Sequence, residues 1–162
     1  MLFKFTVEYL RDEKGLHHLL YSYSTDKFST YEEYMERWPG DEYVDLIGYD
    51  DYHNFAEKES VHKGINSLRI LAALGDSLNK PFALTETGLE SIPDPLWYTE
   101  HVLESIKNDD LARKASYMLV WRNFDTKHHY APYPGHASEE EFKKFEADEF
   151  TWFLDELPEM YK

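Results

Sequence analysis

The sequence predicts an α/β fold in which four parallel strands alternate with helices. Four short apolar runs carry that expectation, near residues 18–24, 43–49, 81–86 and 115–122. Each is bounded by turn residues and separated from the next by a segment with helical periodicity. Strand and helix alternating at this spacing imply a parallel sheet with right-handed crossovers. No linker, repeat or low-complexity stretch divides residues 1–162, so one domain is expected over the whole chain.

Taken in order, Leu2 to Lys14 puts Phe3, Val7 and Leu10 on one face and Lys4, Glu8 and Arg11 on the other, a helix closed by Gly15. Leu19 to Ser24 reads as the first strand, with Tyr21 and Tyr23 alternating. Ser29 or Thr30 caps a helix through Trp38, favoured at its start by Glu32 and Glu33 and stopped by Pro39-Gly40. Val44 to Gly48 is the second strand. Val61 to Leu78 carries Ile65, Leu68, Leu71, Ala72 and Leu78 at helical spacing. Pro81 to Gly88 holds the third strand, whose apolar run Phe82-Ala83-Leu84 suits a strand buried on both faces. Trp97 to Lys107 follows as a helix, and Ser116 to Trp121 as an apolar fourth strand. Ser138 opens a capping-box-like S-E-E-E, and the final helix is expected to run to about Leu157, before Pro158.

Composition narrows the functional classes. The chain has 17 Lys+Arg against 32 Asp+Glu, a formal net charge of −15, which disfavours nucleic acid and anionic membranes. It has no cysteine, which excludes a disulfide, a thiolate metal site and a cysteine nucleophile. No stretch approaches the roughly 20 apolar residues of a membrane span, and the first residues show no apolar signal region. The chain is 17% aromatic, with 13 Tyr, 10 Phe and 4 Trp; much of that must be core, but aromatics beside carboxylates also suit a cleft that stacks on neutral sugar rings.

Each strand exit offers candidate site residues: Tyr23 with Ser24, Asp50 to His53, Glu86, and Trp121 to Asn123. In parallel α/β folds, ligands meet the sheet at the carboxyl ends of its strands, and such a series matches the active face of a β/α barrel. Glu86 stands where its strand leaves the core; it either faces a cleft or caps the following turn or pairs with a lysine. Tyr52 is placed to donate its hydroxyl to a neighbouring carboxylate and orient it. Asp50, Tyr52 and His53 lack the second histidine that a metal site would need, and His128-His129 are adjacent and suit a loop better than a shared ligand, so neither metal nor cofactor is expected. Calcium at Asp50-Asp51 lacks the spaced acidic loop. Trp121 is large enough to floor a sugar subsite or to be core, and Arg122 to donate to hydroxyls. Phe124, Tyr130 and Tyr133 extend that wall or pack within the loop.

A-L-T-E-T-G at 83–88, G-Y-D-D-Y-H before it, and V-W-R-N then P-Y-P-G after it together resemble the C-terminal half of a glycoside hydrolase family 26 β-mannanase. The opening F-T-V-E-Y-L-R-D-E-K-G-L-H-H-L-L-Y-S-Y-S resembles that family's fourth helix and fifth strand, so the resemblance spans essentially the whole chain. It implies the C-terminal half of a (β/α)8 TIM barrel from a retaining endo-β-1,4-mannanase, acting on β-mannan or manno-oligosaccharide. By the same resemblance Glu86 matches the nucleophile, Tyr52 the tyrosine hydrogen-bonded to it, and Asp50 the aspartate of that loop. Trp121 matches the platform near the cleavage point and Arg122 the arginine beside it; Tyr133 is a substrate-binding candidate from its place in the aromatic loop, not from the resemblance.

One departure bears on activity. A retaining glycosidase needs two carboxyl groups about 5–5.5 Å apart, and the family's acid/base glutamate, next to a histidine at the end of the fourth strand, has no match in this sequence. A complete barrel takes about 250 residues and eight strands. The expectation is therefore a half barrel with the nucleophile half of the site, inactive alone, that self-associates or pairs with the missing N-terminal half. A non-catalytic carbohydrate-binding or assembly module and a related retaining glycosidase acting on another β-glycan are the alternatives. For a parent enzyme the resemblance implies a secreted, cell-surface or periplasmic location.

Overall fold

A computed structural model of the chain describes residues 2–158. Its centre is a sheet of four parallel strands in the order β1-β2-β3-β4, namely β1 (Ser22–Thr25), β2 (Leu46–Asp51), β3 (Phe82–Thr87) and β4 (Met118–Val120). Neighbours in sequence are neighbours in space, so the sheet winds in one direction as a segment of a barrel does. Helices cover one face: α1 (Leu2–Glu8), continued by a π-helical turn at Tyr9–Glu13, then α2 (Tyr31–Met35), α3 (Val61–Leu78), α4 (Glu104–Lys107) and α5 (Glu139–Glu146). A π-helical stretch at Trp97–Leu103 leads into α4.

The core lies between sheet and helices. Ile47, Tyr49, Phe82 and Leu84 from the strands meet Leu68, Leu71 and Ala72 of α3, with Tyr34, Trp97 and Tyr98 closing the ends. α3 keeps the bounds its periodicity predicts, because an amphipathic pattern sustained over 18 residues, about five turns, leaves little freedom in register. It ends at Asn79, left-handed at φ 53°. Gly75 lets it approach the third strand closely, since a Cβ there would lie 2.7 Å from the Lys80 carbonyl oxygen. α2 is capped as expected by Thr30, whose Oγ1 accepts from the Glu33 amide at 3.2 Å.

Several boundaries differ from expectation. The first strand starts at Ser22 rather than near 18, because the Tyr21 amide is taken by the Asp45 carboxylate (2.8 Å) before the ladder begins at Ser22↔Leu46. The second begins at Leu46, after a 3-10 turn at Asp41–Tyr43. The fourth shrinks to Met118–Val120, and the second helix stops at Met35 rather than Trp38. The final helix ends at Glu146, not near Leu157. Lys107 Nζ holds both oxygens of Asp148 at 2.8 Å, and Asp148 also accepts from the Phe150 amide (2.9 Å). That tertiary ion pair turns the chain so that Phe153 folds back edge-on against Phe142 and Phe145. The Ser138 capping box does not form; the Ser138 hydroxyl lies 2.8 Å from His136 Nδ1 instead.

Candidate active site

The carboxyl ends of β2 and β3 bring Tyr52 and Glu86 together. The Tyr52 hydroxyl donates to Glu86 Oε1 at 2.6 Å, and both side chains are half-buried. Burial first, and then this hydrogen bond, push the Tyr52 phenol well above its ordinary value, so it stays protonated as a donor. No lysine pairs with Glu86 among the described residues.

A bulge aims Glu86. In the β2–β3 ladder Tyr49 pairs with Leu84 and Asp50 with Glu86, which leaves Thr85 as one extra residue in β3. Strict alternation from the buried Leu84 would send Glu86 toward the helices. With the bulge, Thr85 and Glu86 both oppose Asp50 and keep partial exposure, while Leu84 and Thr87 on either side are buried. Thr85 Oγ1 donates to Asp50 Oδ1 (3.0 Å), Ser24 Oγ donates to the same oxygen (2.8 Å), and the two hydroxyls are 2.5 Å apart. Gly48 leaves room for this, because a Cβ there would meet Thr85 Cγ2 at 2.4 Å.

Tyr52 is held by its loop. Asp51 is fully buried and accepts from the His53 amide (3.1 Å), the Asn54 amide (2.8 Å) and Asn54 Nδ2 (2.8 Å). Thr87 Oγ1 ties the Asp51 carbonyl to β3 at 2.7 Å. Phe55, also fully buried, has its carbonyl held by Trp97 Nε1 at 2.8 Å. Behind Tyr52 stands the Tyr130 ring, edge-on with centroids 5.8 Å apart. Asn123 places Tyr130 by accepting from its amide and that of Ala131, each at 2.9 Å, and Tyr98 donates its hydroxyl to the Tyr130 carbonyl.

The remaining candidates spread outward. Trp121 follows β4 at 42% exposed, its amide bonded to the Thr87 carbonyl (3.3 Å). Arg122 lies over the exposed Phe124 ring, 5.2 Å from its centroid. Tyr133 is partly exposed and packs edge-on against His129 and His136 at 5.2 Å each. Tyr23 does not reach the site: it is buried on the helix side against Tyr34 and Trp38, and only Ser24 of that pair faces Asp50. His53 is exposed, and His128 pairs with Glu90 at 2.7 Å. Among the described residues no group of three or more His, Asp or Glu side chains converges as a metal would require. An open cleft of about 760 Å3 adjoins the exit of β1, with Ser24, Asn54, Arg37 and Lys63 in its walls. Ser24 connects it to Asp50.

Sequence reasoning placed Asp51 and Asn123 among the strand-exit candidates without their positioning role, and missed Thr85. Gly48 inside an apolar run was a readable sign of close backbone approach; the Thr85 bulge and the Asn123 clasp left no such sign.

Comparison with known proteins agrees with this fold. A solved GH26 β-mannanase from Bacteroides ovatus superposes with a TM-score of 0.88 at 41% identity, covering 99% of this chain and 46% of that one. A modular endo-β-1,4-mannanase from Cellulomonas fimi gives 0.89 at 36% identity, covering 97% and 36%. The mannan endo-1,4-β-mannosidase of Bacillus subtilis (strain 168) is 32% identical over 122 residues, 75% of this chain and 30% of the relative. The chain thus spans less than half the length of these relatives, and its sheet is half of their (β/α)8 barrel. The model of glycosyl hydrolase family 26 matches residues 1–139, and the chain, with its four parallel strands and a tyrosine-held glutamate at the third, belongs to that family.

Proposed function

We propose that this chain supplies the nucleophile half of a retaining endo-β-1,4-mannanase site. The single observation that carries this reading is Glu86, aimed by a bulge out of the strand end and held at 2.6 Å by a tyrosine that stays protonated. Glu86 attacks the anomeric carbon of a mannosyl unit. The glycosidic C–O bond breaks through an oxocarbenium-like transition state, leaving a glycosyl–enzyme ester at Glu86. The leaving oxygen takes its proton from a second carboxylic acid, and that group, as a carboxylate, then deprotonates the water that hydrolyses the ester.

The second carboxyl belongs to the other half of the barrel. Asp50, the carboxylate in register with Glu86, is engaged by Ser24 and Thr85 and serves the site by fixing the strand ends. Trp121 gives the sugar a stacking face, while Arg122 and Tyr133 reach hydroxyls around it. By itself the chain is expected to turn over mannan poorly, since general acid catalysis is worth roughly 10²–10⁴-fold.

The test is a fluorosugar mannosyl fluoride incubated with the barrel completed by its acid/base half, followed by mass spectrometry of the peptides. One covalent mannosyl adduct on Glu86, absent in Glu86→Gln, is the expected result. An adduct on another residue, or mannan cleavage that survives Glu86→Gln, would overturn the assignment.

A further inference from the structure

Two buried side chains of the π-helical stretch Trp97–Leu103 reach the same oxygen. Trp97 Nε1 donates to the Phe55 carbonyl at 2.8 Å, and His101 Nδ1 lies 3.0 Å from that carbonyl. A carbonyl can only accept, so Nδ1 carries a proton. The other ring nitrogen, Nε2, lies 3.1 Å from Asp94 Oδ2. Asp94 accepts on its second oxygen as well, taking the Leu96 amide on Oδ1 at 2.9 Å. Both nitrogens of one ring therefore face acceptors. Neutral imidazole has a single N–H and serves one of them; imidazolium serves both. With the ring 3% exposed, solvent is a poor substitute for either partner. Among the described residues Asp94 is the carboxylate within ion-pair distance of the ring. Lys58, paired with Glu100, lies near Asp94 and Glu104 and supplies the neighbouring positive charge.

Phe55 closes the loop that carries Tyr52. Between them, the amides of His53 and Asn54 are taken by the buried Asp51 carboxylate, and the Asn54 carbonyl accepts from Ser60 Oγ at 2.8 Å. The Phe55 ring seats on α3 where Gly64 has no side chain; a Cβ there would lie 2.6 Å from Phe55 Cε2. The loop is thus pinned at its start by Asp51 and at its end by the Phe55 carbonyl, with Tyr52 between the two and its hydroxyl on Glu86. The π-helical geometry of the stretch that supplies both donors is rare and recurs at functional sites.

We propose that His101 is a positioning residue for the attack by Glu86: as an imidazolium bridging Asp94 and the Phe55 carbonyl, it holds the Tyr52 loop so that the phenol meets the nucleophile. It touches neither substrate nor reacting atoms. Its effect passes through the Phe55 peptide to Tyr52. Trp97 alone leaves that carbonyl one donor and no tie to Asp94, so the loop end can turn and Tyr52 loses its aim. This clamp deepens the mannanase reading by adding a residue that aims the nucleophile.

The test begins with the full chain, 15N-labelled at histidine and 13C-labelled at tyrosine Cζ. At neutral pH the His101 ring should show two protonated nitrogens. His101→Gln can serve only one of the two acceptors with its amide. It should move the Tyr52 Cζ resonance away from its wild-type position and speed exchange at the His53 and Asn54 amides roughly tenfold. In the completed barrel its kcat should fall roughly tenfold, with KM changed by less than about twofold. Asp94→Asn is the conservative rescue. Its Oδ1 still takes the Leu96 amide and its Nδ2 donates to His101 Nε2, so the ring should drop to one proton, keep Nδ1–H on Phe55, and leave the Tyr52 resonance and kcat near wild type. A wild-type ring with a single proton would overturn the proposal whether or not the variants fold. So would a wild-type Tyr52 resonance and kcat in His101→Gln, or a loss in Asp94→Asn equal to that in His101→Gln. A wild type that takes no mannosyl adduct at Glu86 would sink the mannanase reading instead, while the ring and Tyr52 spectra still decide the clamp.

Discussion

The Tyr52 hydroxyl lies 2.6 Å from Glu86 Oε1, across the mouth between the ends of β2 and β3. Neither residue is held by this bond alone. Tyr52 is steadied from below by the Asp51 turn and from behind by Tyr130, and Glu86 by the bulge at Thr85. A carboxylate so restrained keeps one oxygen occupied and the other available, which a nucleophile requires.

Replacing Tyr52 with Phe removes one hydrogen bond to a charged group, worth about 1.5–3 kcal/mol. In a completed barrel kcat/KM on manno-oligosaccharides should fall roughly 10- to 100-fold, with the thermal melt almost unchanged. An unaltered kcat/KM would show that Glu86 is oriented by something else.

Asp51 is a structural counterpart to that pair. Asp51→Ala strips two backbone amides and the Asn54 side chain of their acceptor inside a buried turn. A loss of roughly 2–4 kcal/mol is expected in urea unfolding. Asp51→Asn retains an oxygen for the amides and should lose clearly less; equal losses would refute the turn as the cause.

Gly88 has φ 151°, and a Cβ there would sit 2.3 Å from Tyr130 Cδ1. Gly88→Ala therefore strains the backbone and pushes Tyr130 away from Tyr52. The expected destabilisation is about 1–3 kcal/mol, with faster hydrogen exchange at the Tyr130 and Ala131 amides. Wild-type exchange at those amides would show that the loop does not depend on this contact.

Alkaline pH should unfold the chain early. Burial raises the phenols of Tyr34, Tyr49, Tyr98 and Tyr52 above the ordinary value of 10.0. The unfolded chain releases those protons first, so their contribution is complete below about pH 10 and is lost as pH rises toward the folded values. Urea midpoints should hold steady from pH 7 to 9 and drop above about pH 10. Phenolate absorbance from these residues should appear only with loss of the near-UV circular dichroism of the folded state; ionisation that leaves that signal intact would contradict the burial.

Where the pattern was long, the sequence stated the fold outright. α3 occupies Val61–Leu78 because its apolar rows span five turns and no competing contact outweighs them. The last helix shows the opposite case. Its acidic start and the proline at 158 gave an end near Leu157, but the Lys107–Asp148 pair and the packing of Phe153 on Phe142 and Phe145 stop it at Glu146. Lys107 lies 41 residues away in sequence, so no local pattern carries that information.

By itself the amino-acid order determined the alternation of strands and helices, the parallel sheet, and the set of side chains at strand exits, because these follow from local periodicity and turn chemistry. The tertiary structure alone decided which of those side chains meet. Tyr23 turned to the core and Ser24 to the site, and one extra residue at Thr85 brought Glu86 round to Tyr52. A bulge is a property of two strands in register, so its effect on a side chain's direction exists only once β2 and β3 are paired.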